Sequence, residues 1–326
     1  NSLQCKKHII LGMMNNKDHF EYMSYFKDKI SSLTTVDIPN QPNAISGEDL
    51  MKKLKNSNNI QIVKTLNKGI ILAKGKYIIR MDSDDISYPN RFEIQVKFME
   101  ANEGVDVCGT WMESVHNSQL VWRYPEIHDD IKAQMIFNSS ISGASTIIRR
   151  SLFDDFLFDS EYNKAEDYYL WCSAINTKIF HNLPEVLYKY RLHGEMTNVV
   201  SRSKQIAVAN KVRREMLERS GVFPNEDEFK LHIDFVLQNF NLVNINNTVG
   251  WLNKIIKVNR SNKYFNESSL KKAIGEYWWQ YFSQNTHLGF TVCKIFMISK
   301  LRAYSNICFK KYVKFFIKCA VKYKYH

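Results

Sequence analysis

Met81-Asp82-Ser83-Asp84-Asp85 is the most informative segment of this sequence, because it places three carboxylates within four residues at the end of the apolar run Tyr77-Ile78-Ile79. Carboxylates this close repel one another unless a cation lies among them. A buried strand that ends in Asp-x-Asp presents the hard oxygen ligands that Mg²⁺ or Mn²⁺ prefers. The open alternative is a solvated turn in which an aspartate caps the following helix.

Helix and strand patterns alternate on both sides of this acidic loop. Residues 66–75 are typical of a short helix, residues 91–99 place apolar side chains at helical spacing, and residues 105–109 are typical of another strand. This alternation predicts an α/β fold with a mostly parallel sheet flanked by helices. Such folds bind ligands at the carboxyl ends of their strands, where the acidic loop is expected to lie.

Four segments resemble the family 2 glycosyltransferases with the GT-A fold, and they occur in that family's order. They are Asn67–Ile78, Met81–Gln95, Ala165–Trp171 and Tyr190–His193. The joint match is far more specific than any single segment. The resemblance implies a Rossmann-like, mostly parallel mixed sheet flanked by helices, to which the chain adds a C-terminal helical extension.

The length and a change in composition after about residue 200 predict two parts. Residues 1–200 are expected to form the GT-A catalytic domain. Within it, about 1–110 would bind nucleotide-sugar and metal, and 111–200 would bind the acceptor and supply the catalytic base. Residues 201–326 are expected to form a basic, aromatic-rich helical region.

The resemblance implies a nucleotide-sugar site, with a UDP-sugar as donor and Mn²⁺ or Mg²⁺ as cofactor. Asp84 is expected as the direct metal ligand, with Asp82, Asp85 and His193 as further ligands; a structural role for His193 also stays open. The donor-binding residues implied are Asn15, Asp37, Asn67, Asp82, Ser83, Asp84, Glu166 and Arg191.

Glu166-Asp167 opens a segment of helical character that resembles the family's catalytic segment. The resemblance implies that Asp167 is the general base, which removes the proton of the acceptor hydroxyl in a reaction that inverts the anomeric carbon. Taken alone, the pair favours carboxylates that interact with the N-terminal end of a helix macrodipole, whereas the acidic loop and the order of the segments favour catalysis.

Positive charge is concentrated in the last part of the chain. The net charge is +12, and residues 201–326 carry 22 Lys and Arg against 8 Asp and Glu, whereas residues 1–200 carry 23 against 25. Lys310, Lys314, Lys318 and Lys322 recur every fourth residue and line one helical face, with apolar side chains on the other. Such a helix either attaches to an anionic membrane surface or packs on the catalytic domain, and both alternatives stay open.

The sequence shows no signal peptide, no membrane-spanning run and no C-x-x-C pair among its six cysteines. These features predict a cytoplasmic protein, peripheral on the inner face of the cytoplasmic membrane. The function implied is metal-dependent transfer of a hexosyl or N-acetylhexosaminyl group to a glycan or lipid-linked acceptor, in lipopolysaccharide, lipooligosaccharide or capsule biosynthesis. One alternative is a catalytically silent GT-A-like domain that binds a glycan or a partner. A nucleic-acid partner is not expected, because the first 200 residues are nearly neutral.

Overall fold

A computed structural model describes residues 8–13, 62–82, 85–192 and 199–323, with the backbone alone at 8–13 and 199–201. Its contacts divide the described chain into two compact units. Unit 1 holds the described residues up to Arg123, Ser142–Leu170 and the described part of Leu183–Gly194. Unit 2 holds Tyr124–Ile141, Trp171–Asn182 and the described part of Glu195–His326. The domain boundary at residue 200 stays a prediction.

The strands of the described residues form one mixed sheet. In chain order they are β1 (His8–Met13), β2 (Tyr77–Asp82), β3 (Ile86–Ser87), β4 (Val107–Ser114), β5 (Val121–Trp122), β6 (Ile147–Arg149) and β7 (Phe180–Tyr190). Their spatial order is β1-β2-β6-β4-β7-β3, with β5 paired to β4. The pair β1·β2 is parallel, and the pairs β2·β6, β4·β6, β4·β5 and β3·β7 are antiparallel.

The register of β2 fixes the edge of the sheet at which the acidic loop lies. The parallel register pairs His8 with Tyr77 and Met13 with Asp82, so the chain leaves β1 and β2 at the same edge. Because β6 runs antiparallel to β2, the residues just before β6 also lie there, and the Arg80 N–H donates to the Thr146 carbonyl at 3.0 Å. Three separate parts of the sequence therefore meet at this edge.

The helices of the described residues are listed here in chain order. They are α1 (Ile62–Leu72), α2 (Arg91–Ala101), α3 (His128–Gln134), α4 (Glu166–Ala174), α5 (Val199–Arg219), α6 (Glu226–Val236), α7 (Ile245–Asn262), α8 (Glu267–Ser283), α9 (Phe290–Ile298) and α10 (Phe309–Ala320). None of these described helices is both long enough and apolar enough to span a lipid bilayer.

Helix α2 is tied to the sheet by two buried polar side chains of the acidic-loop block. The guanidinium of Arg91 donates to the Arg80 carbonyl at 2.9 Å and to Gln95 Oε1 at 2.9 Å. Gln95 Nε2 donates to the carbonyls of Cys108 at 3.0 Å and Ser145 at 2.9 Å. Burial lowers the pKa of Arg91 to about 10. The two side chains therefore link α2 to backbone carbonyls of β2, of β4 and of the residues just before β6.

Unit 2 has its own aromatic core. The rings of Trp278 and Phe282 lie 4.8 Å apart, and Phe296 contacts both Phe282 and Phe315. At Gly275 of α8, a Cβ atom would lie 2.2 Å from the backbone carbon of Tyr304, so glycine is needed where the two backbones approach.

Short α3 packs against the long helices of unit 2 through polar contacts. Lys272 Nζ lies 2.5 Å from Asp130 Oδ2, and Gln134 Nε2 donates to Glu276 Oε2 at 2.6 Å. Just after α3, the Phe137 carbonyl accepts from Arg213 Nε at 2.6 Å. The α/β class, the mixed sheet and the helical C-terminal region predicted from the sequence are confirmed by this architecture. The sheet was expected to be mostly parallel, but among the pairings given above for the described strands one is parallel and four are antiparallel, because β6 and β4 return beside their neighbours in the opposite direction.

Candidate active site

A buried arginine lies at the centre of the sheet edge described above. Arg80, inside β2, is 5% exposed, and its Nη2 lies 3.4 Å from Glu166 Oε1 and 3.8 Å from Asp82 Oδ1. Burial disfavours the charged guanidinium, but the carboxylates of Asp82, Asp167 and Glu166 outweigh burial, so the pKa of Arg80 is raised. Carboxylates from the end of β2 and the start of α4 are thereby gathered around one cation.

Asp85 connects the acidic loop to the end of β7. Its carboxylate is 1% exposed and accepts from the Tyr188 hydroxyl at 2.8 Å and from the Arg191 N–H at 2.7 Å. The same Tyr188 hydroxyl accepts from the Asp82 N–H at 3.0 Å. Tyr188 is therefore bonded to both sides of the loop, and this pairing fixes where the loop begins and ends.

Glu166 and Asp167 form the first turn of α4. Glu166 is buried, and its Oε2 accepts from the Lys164 N–H at 3.1 Å. Burial, followed by the charge of Asp167, raises the pKa of Glu166. The half-buried Asp167 accepts from the Tyr168 N–H at 2.7 Å through Oδ1, which satisfies one of the free amides of the helix start. Glu166 and Asp167 are thus adjacent in sequence but differ in environment, since Glu166 is buried and Asp167 is half-buried.

Gly143 allows the backbone to pass beside the catalytic candidates. A Cβ atom at this position would lie 2.5 Å from Arg80 Nη1 and 2.7 Å from Asp167 Oδ2. Both distances are far shorter than a van der Waals contact. The absence of a side chain at Gly143 therefore lets Arg80 and Asp167 approach each other beside the main chain.

The chemistry of Asp82 fits a divalent metal. Its carboxylate is about one-quarter exposed at the carboxyl end of β2, and carboxylate oxygen is the ligand type that Mg²⁺ and Mn²⁺ accept. Within the ranges that the structure describes, no group of three or more His, Cys, Asp or Glu side chains is arranged to hold a metal. Asp84 and His193 lie outside the described residues. The four metal ligands named from the sequence stay predictions.

The predicted donor-binding residues divide into two groups. Asn15, Asp37 and Ser83 lie outside the described residues, as does Asp84. Among the described ones, the side-chain amide of Asn67 is bonded on both sides to Phe158: it donates to the carbonyl at 2.7 Å and accepts from the N–H at 3.1 Å. The observed bonds of Asn67 are structural, and its contact with the nucleotide stays a prediction.

Arg80, Gly143 and Tyr188 join this site, although the sequence did not identify them. An arginine within an otherwise apolar buried strand was the available signal for Arg80, because a charge in such a strand requires partners. Tyr188 lies in β7, whose apolar pattern is interrupted by Asn182 and Pro184, and this strand was not predicted. No pattern in the sequence shows which backbone segment passes beside Asp167.

Comparison with known proteins gives a consistent family. Residues 43–183 match the model of the family described as glycosyl transferase family 2. An uncharacterised glycosyltransferase of Haemophilus influenzae is 32% identical over 178 residues, which are 51% of this chain and 55% of that protein. An uncharacterised glycosyltransferase of Methanocaldococcus jannaschii is 26% identical over 204 residues, 56% of this chain and 70% of that protein. The chain thus spans about half the length of the Haemophilus relative.

Two further similarities are to a named pathway enzyme and to a solved structure. The amylovoran biosynthesis glycosyltransferase of Erwinia amylovora is 29% identical over 43% of this chain and 54% of that protein. The crystal structure of TarS 1–349 from S. aureus with UDP-GlcNAc aligns with a TM-score of 0.43 and 18% identity, over 96% of this chain and 90% of that one.

Proposed function

We propose that this chain, which belongs to glycosyl transferase family 2, transfers a sugar from a UDP-sugar to a glycan or lipid-linked saccharide with inversion at the anomeric carbon. The observation that supports the proposal is the convergence of Asp82, Glu166 and Asp167 on buried Arg80 at one sheet edge. This convergence supports the proposal because the acid expected to bind the donor and the acid expected to activate the acceptor both lie near one guanidinium.

In the proposed reaction, the acceptor hydroxyl oxygen forms a bond to the anomeric carbon while the bond from that carbon to the diphosphate oxygen breaks. The hydroxyl proton passes to Asp167, and UDP leaves with the electron pair of the broken bond. Proton removal by a positioned base typically contributes about a hundredfold to ten-thousandfold to the rate. The half-buried Asp167 can meet both solvent and acceptor, as this role requires.

Asp82 and Asp84, with Asp85 and His193, would hold Mn²⁺ or Mg²⁺, and the bound ion would supply charge stabilisation for the leaving diphosphate. Tyr188 and the Arg191 N–H then have an orienting task, because they hold the Asp85 end of the acidic loop. Arg80 offsets the mutual repulsion of Asp82, Glu166 and Asp167 and keeps the base directed toward Gly143.

The acceptor belongs, in this proposal, to lipopolysaccharide, lipooligosaccharide or capsule assembly at the inner face of the cytoplasmic membrane. Two features support it. One relative is named for biosynthesis of amylovoran, and the C-terminal region carries the excess of positive charge that an anionic membrane attracts.

The test is release of UDP from a panel of UDP-sugars with Mn²⁺, Mg²⁺ or EDTA. The wild type is compared with Asp84→Ala, Asp167→Asn and the control Asp129→Asn, which changes an exposed acid of unit 2. We expect metal-dependent turnover of one donor that is lost in the first two variants, retained in the control, and accompanied by intact donor binding in Asp167→Asn.

Two outcomes would contradict the proposal. Turnover that persists in Asp167→Asn would remove the assigned base. Binding of a glycan without turnover of any nucleotide-sugar would instead favour the catalytically silent domain.

A further inference from the structure

Helix α10 buries only part of its apolar surface. Phe315 and Cys319 are buried, and the Phe315 ring lies 5.2 Å from Trp279 and 5.4 Å from Phe296. Part of this lysine-lined helix therefore packs on the protein, which is one of the two alternatives that the sequence left open. Yet Phe309, Phe316 and Ile317 are 82%, 53% and 54% exposed. In helical projection Phe316 lies beside the buried pair, and the exposed apolar strip continues from it through Phe309 to Ile317 on the far side of the helix.

Helix α9 continues this exposed apolar surface. Phe290 and Met297 are 54% and 45% exposed and lie seven residues apart, on one helical face. The Phe290 ring contacts the Phe316 ring of α10 at 5.4 Å. A groove lined by Phe290, Met297 and Phe316 runs between the two helices. We call the exposed set Phe290, Met297, Phe309, Val313, Phe316 and Ile317 the α9–α10 face.

The segment that contains the α9–α10 face carries charge of one sign. Lys294 lines the groove, and Lys310 and Lys314 are exposed on α10 beside Ile317 in helical projection. The sequence from 277 to 326 contains nine Lys and Arg and no Asp or Glu. An apolar strip bordered by lysines matches the boundary between the headgroups and acyl chains of an anionic lipid layer.

We infer that the α9–α10 face is a lipid-docking surface, which inserts Phe309, Phe316 and Ile317 among the acyl chains while the lysines contact anionic headgroups. The inference refines the membrane attachment in the proposed function and gives it residues on two helices. It does not depend on sugar transfer, because lipid binding is measured without donor or acceptor.

The partner is a lipid surface rather than a second copy of this chain because of charge. Two copies joined through this face would bring together the lysines of two 277–326 segments, neither of which contains an acidic residue. Like charges opposed in this way are destabilising. An anionic leaflet supplies both the apolar interior and the opposite charge.

The test is co-sedimentation of the full chain with vesicles of phosphatidylcholine, with and without phosphatidylglycerol. We expect binding to the anionic vesicles that weakens as salt is raised. Phe316→Ser with Ile317→Ser should weaken binding about tenfold or more per side chain. Lys310→Gln with Lys314→Gln should weaken it about fivefold per lysine. All four positions are exposed, so the variants are expected to fold.

The matched controls change equally exposed residues of unit 2 outside the two helices. Phe223→Ser alters a phenylalanine that is 70% exposed, and Lys204→Gln with Lys257→Gln removes two exposed lysines. Both controls should bind vesicles as the wild type does. Equal binding by Phe316→Ser and Ile317→Ser, or a lipid-free dimer that these changes dissociate, would overturn the inference. Tight RNA binding by a chain that ignores anionic vesicles would also overturn it.

Failure of the inference and failure of the proposed function remain distinguishable. A chain that releases UDP but ignores vesicles keeps its transferase activity and loses this surface. A chain that binds anionic vesicles through the α9–α10 face but turns over no donor keeps the surface and loses the activity.

Discussion

Residues around Arg80 carry the chemistry of the candidate site, and they show where inference from sequence ends. The carboxylates were identified because several acids in one short loop are chemically conspicuous. Their common partner was not, because the contact of Arg80 with Glu166 joins residues 86 positions apart. A charge in a buried strand indicates that a partner exists but does not show which residue supplies it.

Replacing Arg80 with Met should damage both stability and turnover. The change leaves Glu166 buried without its cation, and breaking a buried ion pair typically costs about 3–5 kcal/mol. Urea unfolding measures that loss, and steady-state kinetics should show a fall in kcat larger than the change in KM.

Adding Glu166→Gln to Arg80→Met should recover much of the unfolding free energy, because the buried negative charge is removed as well. The control Arg150→Met removes an arginine whose Nη1 is 3.9 Å from Asp154, and exposed pairs of this kind contribute about 0–1 kcal/mol. Equal effects of Arg80→Met and Arg150→Met would contradict the assigned role.

Gly143→Ala should lower turnover with a small effect on folding. The new methyl group would displace Arg80 Nη1 or Asp167 Oδ2, and a shift of about 1 Å at a reacting group can cost roughly a hundredfold in rate. The kcat of the variant tests this. In the control Gly250→Ala, no atom lies within 4 Å of the new methyl group, so kcat should be unchanged. Because Gly250 lies inside α7, that control should gain about 0.5–1 kcal/mol of stability.

Secondary-structure elements were predicted unevenly, and the reason is the strength of each local pattern. The strand that ends in Asp82 begins as a continuous apolar run, the lysine-lined helix α10 has a clear helical period, and both were found. β7 was missed because Pro184 stands within it and because its apolar positions do not alternate regularly. Because β7 was not predicted, Tyr188 was not identified as part of the site.

Tyr188→Phe should loosen the acidic loop. The hydroxyl bonds both Asp85 Oδ2 and the Asp82 N–H, and leaving buried polar groups without a partner costs about 1–3 kcal/mol. We expect a loss of unfolding free energy in this range and a higher Mn²⁺ concentration for half-maximal UDP release. Tyr190→Phe, in the same strand but 37% exposed, is the control. An unchanged metal requirement in Tyr188→Phe would contradict the orienting role.

Helix α6 should make the stability of the chain sensitive to acid. His232 is fully buried, with Nε2 2.8 Å from the Ile136 carbonyl and Nδ1 accepting from Trp251 Nε1 at 3.2 Å. Both ring nitrogens are hydrogen-bonded in the neutral form. Protonation of Nδ1 would remove the acceptor of the Trp251 N–H and place two N–H groups opposite each other. Burial lowers the pKa of His232 to about 3.

Below an unfolded-state pKa of about 6.5, the unfolded chain binds a proton that the native chain excludes, so the free energy of unfolding falls as pH is lowered toward 3. From pH 8 to pH 5 this group should cost about 2 kcal/mol. His232→Gln, which can keep both hydrogen bonds, should reduce the pH dependence by that amount in urea titrations. His116→Gln, at an exposed histidine, should leave the dependence unchanged.

Within the described residues, the two contact units do not follow the change in composition along the chain. Composition marks residue 200, where basic and aromatic helices begin, and the described contacts confirm that helices dominate there. Composition cannot show that Tyr124–Ile141 also belongs to unit 2, because α3 is too short to have a distinctive amino-acid composition.

A fragment of residues 201–326 should therefore not fold on its own. It would lose the contacts of Asp130 with Lys272, of Gln134 with Glu276, and of the Ile136 and Phe137 carbonyls with His232 and Arg213. Circular dichroism and urea unfolding of the fragment, compared with the full chain, measure this. A cooperative unfolding transition in the fragment would support residue 200 as a domain boundary.

The setting of Arg80 also has a consequence for how relatives of this chain can diverge. One guanidinium interacts with carboxylates from two distant segments, so a change of charge at Asp82, Glu166 or Asp167 alters the environment of the other two. Such positions are epistatic: a substitution harmful by itself becomes tolerable after a second one. Among homologues, the residue types at positions 80 and 166 should therefore covary, so that a loss of the positive charge at one accompanies a loss of the negative charge at the other.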